Sequence, residues 1–546
     1  MKRLTVLLAT IMVLVLLLSC APKEAPTPTP TPKPTPTPPA VEKPKYGGIW
    51  RQVYDRPPAG YDMHLRPPAS AFVVLRMFNN LVSFDPKESQ LLPENIIGDL
   101  AERWEISPNG MTYTFYLVKN AKWHDGMPFT ADDVVYNINK FVDKERSRIY
   151  GYYPAFQSVE KIDDYTVKIH LKYPSASFLG MLASPYAIIE PKHLAGTDPK
   201  STDFLVGTGP FMYKSYTEPI EFEMVKNPDY FKTGLPYLDG IKMYFQTESA
   251  TKVSMFTAKR VDSTTNTVGL TTEEEVVQAL KGAPDAITHY ISFHYGLVWF
   301  VNQAYEPLRD VRVRRALSLV IDPQELIIAM FGGTKWGWTE RVLFPPAWEL
   351  PKDEAWKTMG WDKPFEDRVS EAKTLMAEAG YDEGFPLRIL VRNSPWYIRA
   401  ANYVDDLFRR HLNLDVELMI RDTAELGAMR NAREFDLFYW SLLAFIGDLD
   451  ELAGYFVTEG SGNYGDYSNA KLDQLFDEQS RTMDPSKRKA LAHEIERIIL
   501  TDLPILPTGH CQTYVPVNHP YLKGFVPAAS GYAQAHLRNE YVWLDK

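Results

Sequence analysis

The sequence predicts an α/β protein built from more than one domain. Three observations carry this expectation. The 546 residues exceed the span of one ordinary domain, so two or three are expected. Hydrophobic residues at 45% and charged residues at 23% give a globular composition. From about Tyr46 onward strand and helix patterns alternate without a long structureless gap, and the C-terminal half follows a strand–helix–strand order.

The chain opens differently. Lys2 and Arg3 precede an apolar run, Leu4 to Leu18, broken only by Thr5 and Thr10. That run is shorter than the about 20 residues of a spanning helix and fits the apolar region of a secretory signal, residues 1–19. It ends in Leu17-Leu18-Ser19-Cys20, which resembles the lipobox of bacterial lipoproteins, where the cysteine receives a diacylglycerol and becomes the first mature residue. Ten of the 42 prolines fall between Pro22 and Pro44. Proline in near alternation lacks the N–H groups that a helix or inner strand requires. Residues 20–45 are therefore expected to be a lipidated cysteine and an extended tether, at about 3.1 Å per residue reaching up to about 75 Å.

The elements of the folded part follow in order. Trp104 to Ser107 and Met111 to Val118 flank Pro108-Asn109-Gly110, a hairpin signal. Thr130 with Asp133 caps a helix whose inner face carries Val134, Ile138 and Phe141. Asp164 to Lys172 alternates, with Val167, Ile169 and Leu171 on one face. Tyr295 to Asn302 is a strand. Asp310 opens a helix with Val313, Ala316, Leu317 and Val320 inward. Asp322-Pro323-Gln324-Glu325 opens another, with Asp at the N-cap, Pro at N1 and Glu at N3. Leu387–Val391 and Asp415–Ile420 are strands around a helix from Tyr403 to Leu412, and Ser486 to Thr501 is a long helix.

Composition narrows function. A formal charge of −10 weighs against a large nucleic-acid surface, and no nucleic-acid partner is expected. The two cysteines, Cys20 and Cys511, exclude a disulfide scaffold or a cysteine-rich zinc module. With Cys20 lipidated, Cys511 is expected to be a buried small hydrophobe. Aromatic residues at 13% suffice for large cores and for rings at a binding site.

Several segments resemble the bacterial extracellular solute-binding proteins of the oligopeptide/dipeptide/nickel class, family 5. They are LAERWEISPNGMTYTFYLVKNAKWHDGMPFTADDVVYNI at residues 100–138, Val206-Gly207-Thr208-Gly209-Pro210-Phe211, Asn227-Pro228-Asp229-Tyr230-Phe231, Asp310 to Leu317, Tyr467-Ser468-Asn469 and Asp502 to Pro507. They stand in the family's order. By local chemistry they are mostly structural: Gly207 and Gly209 allow tight backbone turns, and Asn227-Pro228-Asp229 and His124-Asp125-Gly126 are turn chemistry. The resemblance implies a periplasmic-binding-protein-like fold: two α/β lobes joined by a hinge, with an extra inserted domain. Lobe I would comprise residues 46–80, 205–290 and 510–546, the inserted domain residues 81–204, and lobe III residues 291–509. It also implies ligand capture between lobes I and III by a monomeric, non-catalytic receptor. That receptor would lie outside the cytoplasm, lipid-anchored to the cell membrane, and serve the permease and ATPase subunits of an ABC importer.

Candidate ligand residues fall in four places. Met63 and His64 lie in one loop, and Asn393, Trp396 and Tyr397 in a second. Trp440, Asp448 and Tyr455 belong to a third, WSLLAFIGDLDELAGY; in peptide-binding relatives an Asp a few residues past a Trp there pairs with the peptide α-ammonium. Asp448 either does this or caps the helix that follows. Trp336 and Trp338, in a glycine-rich loop, are placed as a lid. Peptides are the expected ligand and oligosaccharides the alternative, since tryptophan faces suit sugar rings too. The histidines show no H-x₃-H or H-E-x-x-H spacing, so neither a metal nor a cofactor is expected. An extracytoplasmic hydrolase is a distant alternative: Asp448 and Asp450, or Asp382 and Glu383, form at best a weak carboxylate pair, and no nucleophile elbow or P-loop is present.

Overall fold

The computed structural model describes residues 43–546, apart from 55–56, 66–70, 265–269, 291–295, 340, 443, 445, 512–514 and 529–537. Cys20 and the proline-rich segment lie outside the described residues, as does the side chain of Cys511.

Three sheets organise the fold. A seven-stranded sheet runs in the order Ile287–Thr288, Val517–Asn518, Ser263–Thr264, Ile49–Tyr54, Gly240–Phe245, Glu221–Lys226, Phe211–Thr217. Ile49–Tyr54 is parallel to both its neighbours, while the other pairings are antiparallel. The chain thus leaves this sheet twice and returns from far along the sequence. A four-stranded antiparallel sheet, Ala101–Ile106, Thr112–Leu117, Thr166–Leu171 and Phe156–Asp163, interrupts it. A six-stranded sheet runs Gly337–Trp338, Ile505–Cys511, Gly296–Val301, Leu437–Ser441, Pro386–Arg392, Asp415–Arg421. Its last three strands pair in parallel, and the helices Pro395–Leu412 and Thr423–Ala432 make the crossovers that parallel pairing requires.

Local chemistry explains the elements. Thr130 and Asp133 form a reciprocal capping box at the helix Ala131–Phe141, which buries Val134, Ile138 and Phe141. In Thr166–Leu171 burial alternates, with Val167, Ile169 and Leu171 inward. Asp310 caps Val311–Val320 and Asp322 caps Pro323–Phe331. Gly296–Val301 is buried at every residue because it is flanked by strands on both sides. The helix expected from Tyr403 begins eight residues earlier, at Pro395. Proline at N1 has the φ that a first turn needs, and Tyr397, Ala400 and Ala401 continue the buried stripe. Asn393–Tyr397 is therefore a strand-to-helix junction and not a free loop. Tyr455 likewise stands on a helix, Leu449–Phe456.

The motifs quoted above lock one another. His124 accepts the Gly207 N–H at Nδ1 (3.1 Å) and its Nε2 lies 3.0 Å from the Gly209 carbonyl, which also accepts the Asn227 amide (2.9 Å). Burial pushes His124 down to about 4, so it is neutral at pH 7 and serves as a turn clamp. A Cβ on Gly207 would stand 1.7 Å from the Met77 carbonyl oxygen, so only glycine fits. Gly207→Ala is expected to abolish soluble, folded protein; circular dichroism and gel filtration check this, and a native-like monomer would contradict it.

Candidate functional site

The site is built where the inner strand Leu437–Ser441 meets the first turn of Pro395–Leu412. Strand alternation puts Phe438 and Trp440 on one face, rings 5.7 Å apart. Trp440 stacks on Tyr397 (5.7 Å), and Tyr397 on Trp396 (3.7 Å). The series continues through Phe331 (6.0 Å from Trp396) to Trp336 (5.3 Å) and Tyr290 (6.1 Å). In the other direction Phe438 leads through Phe300 (5.9 Å) to Tyr455 (5.9 Å). Five residues singled out by sequence, Trp336, Trp396, Tyr397, Trp440 and Tyr455, therefore belong to one ring-to-ring series. Trp396, Trp440 and Tyr455 keep part of their surface open, whereas Tyr397 is buried.

The other candidates stand elsewhere. Trp336 is fully buried and its indole N–H donates to Glu273 Oε2 (2.9 Å), so it is fixed in the core and is not a lid. The Tyr290 hydroxyl donates to the same carboxylate oxygen (3.1 Å). Glu273 thereby ties the helix Glu273–Gly282 to the ring series, a role with no local sequence signal. Trp338 sits in a short strand paired with Ile505–Cys511. Asn393 is exposed, its N–H donating to the Arg421 carbonyl (2.7 Å). Met63 and His64 are buried and offer a ligand no surface.

Asp448 is fully engaged. It caps Leu449–Phe456 by accepting the Asp450 N–H (3.0 Å), and Arg488 donates to both of its oxygens at 2.8 and 2.7 Å. Of the two roles expected for Asp448, the structure shows the cap; a peptide ammonium would have to displace a bidentate guanidinium. The Arg488 guanidinium also lies over the Trp348 ring (4.6 Å), whose N–H donates to the Gly447 carbonyl (2.9 Å). Asp450 accepts from Gln479 (2.5 Å), Ser480 (3.0 Å) and Ser177. Burial, then the neighbouring Asp448, pushes its carboxyl above the usual range. The Ala176 N–H donates to the Ser480 carbonyl (2.9 Å), so the region of the four-stranded sheet is bonded directly to the helix Ala470–Arg481. Between them runs a groove of about 670 Å³, lined among others by Tyr152, Tyr173, Glu451, Gly454 and Asp473.

Comparison with known proteins decides the family. The sequence model of the bacterial extracellular solute-binding proteins, family 5 (middle region), matches residues 95–464. The chain belongs to that family. This family 5 chain is similar to the di/tripeptide-binding protein 1 of Pseudomonas aeruginosa, 26% identical over 509 residues that cover 84% of this chain and 88% of the relative. It is also similar to a probable deoxycholate-binding periplasmic protein of Escherichia coli, 28% identical over 484 residues, 84% of this chain and 86% of the relative. Among solved structures it shares its fold with the ABC transporter-associated periplasmic binding protein DppA of Helicobacter pylori in complex with the peptide STSA. There the TM-score is 0.74 at 22% identity, covering 92% of this chain and 99% of the other. The periplasmic-binding-protein-like α/β fold expected from sequence is thereby shown. Among the described residues no helix is long and apolar enough to cross a membrane.

Proposed function

We propose that this family 5 protein is the substrate-binding component of an ABC importer, capturing peptides in a cleft between two lobes and delivering them to the membrane permease. The observation that carries the reading is the family match, together with relatives and structural neighbours named for peptides. In this reading lobe I is 46–80, 205–290 and 510–546, the inserted domain is 81–204 and lobe III is 291–509. The lobes close over ligand by hinge motion.

Trp396, Trp440 and Tyr455, partly open and backed by Tyr397 and Phe438, supply the flat low-entropy surface. Because Arg488 holds Asp448, the peptide is recognised by its side chains and backbone more than by its ammonium at that carboxylate. A lipid on Cys20 would hold the receptor to the cell membrane, in the periplasmic space or at the outer face. No chemistry is performed on the ligand.

Oligosaccharides compete for the same ring surface. Calorimetry with a pool of di- to pentapeptides and with short oligosaccharides separates the two. Saturable heat with peptides is expected, lowered up to about ten-fold in affinity by Trp440→Ala; heat from saccharides alone would overturn the peptide assignment. Cys20→Ser is expected to release the protein from membranes; continued membrane association would contradict the anchor.

A further inference from the structure

Away from the aromatic series, three pieces of chain meet around four buried side chains that ligand capture leaves unused. The pieces are the 61–65 loop, the 188–191 segment and the helix Ala131–Phe141. Lys140 Nζ donates to Asp62 Oδ2 (3.0 Å) and Glu190 Oε2 (2.6 Å). Asp62 Oδ1 accepts the N–H groups of His64 (2.8 Å) and Leu65 (3.2 Å). His64 Nε2 lies 3.1 Å from the Ile188 carbonyl oxygen. That oxygen can only accept, so Nε2 carries a proton, and Nδ1 faces Glu190 Oε1, 3.3 Å away.

This contact, an ion pair only when the imidazole is protonated, is longer than those Lys140 makes. Neither Nδ1 nor Oε1 has a hydrogen-bond partner, and both atoms are buried. A charge-assisted N–H···O bond would be about 2.7–2.9 Å. Two donors bound at about 2.0–2.1 Å to one tetrahedral ion stand about 3.3–3.4 Å apart, and this is the separation found. Ligand atoms of Asp62, His64 and Glu190 all lie within 4.8 Å of one another. A carbonyl acceptor on the far nitrogen is also how metal-bound histidines are commonly oriented. A cavity of about 580 Å³, lined by Asp62, Tyr136, Lys140, Glu145 and Glu190 among others, adjoins the cluster. It has room for a water ligand and for the Lys140 ammonium to withdraw toward Glu145.

We propose that His64 Nδ1, Glu190 Oε1 and an Asp62 oxygen form a site for one divalent cation of the zinc class, with Lys140 as the internal competitor for the two carboxylates. One imidazole and two carboxylates suit a borderline cation, with water in the fourth position. The sequence expectation of no metal rested on histidine spacing. This cluster has none to show, since Glu190 arrives from far along the chain. A bound ion would pin the 61–65 loop to the 188–191 segment.

The test is titration of the metal-stripped full chain with Zn²⁺ by calorimetry and with Co²⁺ by visible absorption. One equivalent of Zn²⁺ and the absorption bands of tetrahedral Co²⁺ are expected. His64→Gln should weaken Zn²⁺ binding at least about ten-fold, and Lys140→Met should tighten it. Should His64→Gln fail to fold, nitrogen NMR of the wild-type histidines serves instead: Zn²⁺ must shift the Nδ1 of one imidazole whose Nε2 stays protonated. No uptake, equal uptake by wild type and His64→Gln, or a His64 Nδ1 unmoved by Zn²⁺ would each overturn the proposal.

Discussion

Arg488→Leu is expected to destabilise the protein by about 3–5 kcal/mol, the usual cost of stripping one partner from a buried ion pair. The side chains of Arg488 and Asp448 are only 3% and 8% exposed, so neither is rescued by solvent. Asp450, 3.9 Å from the same guanidinium, loses its nearest cation as well. The damage should spread to the junction with the four-stranded-sheet region, because Asp450 receives Ser177 and Gln479 receives, through its Oε1, the Arg488 Nε–H (3.0 Å). Guanidinium unfolding checks the size of the loss. The double variant Arg488→Leu/Asp448→Asn should recover part of it, since it leaves one fewer unpaired charge. A single variant as stable as the wild type would show that Asp448 is free to serve another partner.

Glu496→Gln is expected to remove a pH dependence of comparable size. Glu496 is buried on the helix Pro485–Asp502, and its carboxyl accepts only the N–H groups of Leu350 (2.6 Å) and Phe344 (3.3 Å) among the described contacts. Burial pushes it up to about 8 from an ordinary 4.5. The folded chain therefore keeps a proton that the unfolded chain releases. Glu496 costs nothing below about pH 4.5, costs more as pH rises from there to about 8, and costs a constant amount above; the limit is roughly 4–5 kcal/mol. Denaturant unfolding at pH 5 and pH 9 should show Glu496→Gln gaining on the wild type at the higher pH. Parallel profiles would contradict the assignment. The carboxyl holds the segment 344–350, and through Trp348 it bears on Gly447 and Arg488, so pH in this window should also shift the packing of the candidate ligand loop.

Much of the fold was legible because its signals are local. The capping box at Thr130, the N-cap at Asp322, the alternation of Val167, Ile169 and Leu171, and the hairpin at Asn109-Gly110 each bury or satisfy groups within a few residues. The helix at Pro395 was missed at its start because Asn393-Ser394-Pro395 is equally good turn chemistry; what decides it is burial of Tyr397 against Tyr439 and Trp440. The aromatic series was half legible. Its tryptophans stand out in sequence, but Phe331, Phe300 and Glu273 join it only through tertiary packing. Trp336 shows the limit of composition: a tryptophan among glycines suggests mobility, yet its N–H is held by a carboxylate 63 residues away. Asp448 shows another, since the partner that decides its role, Arg488, is 40 residues distant.

Native mass spectrometry of the chain purified gently from its own cells reads out whether a peptide is held between the lobes. An added mass is expected that leaves on activation and fragments into amino-acid residues, and that is lost together with binding in Trp396→Ala/Trp440→Ala. An adduct that fragments into sugars, or one retained unchanged by that double variant, would contradict it.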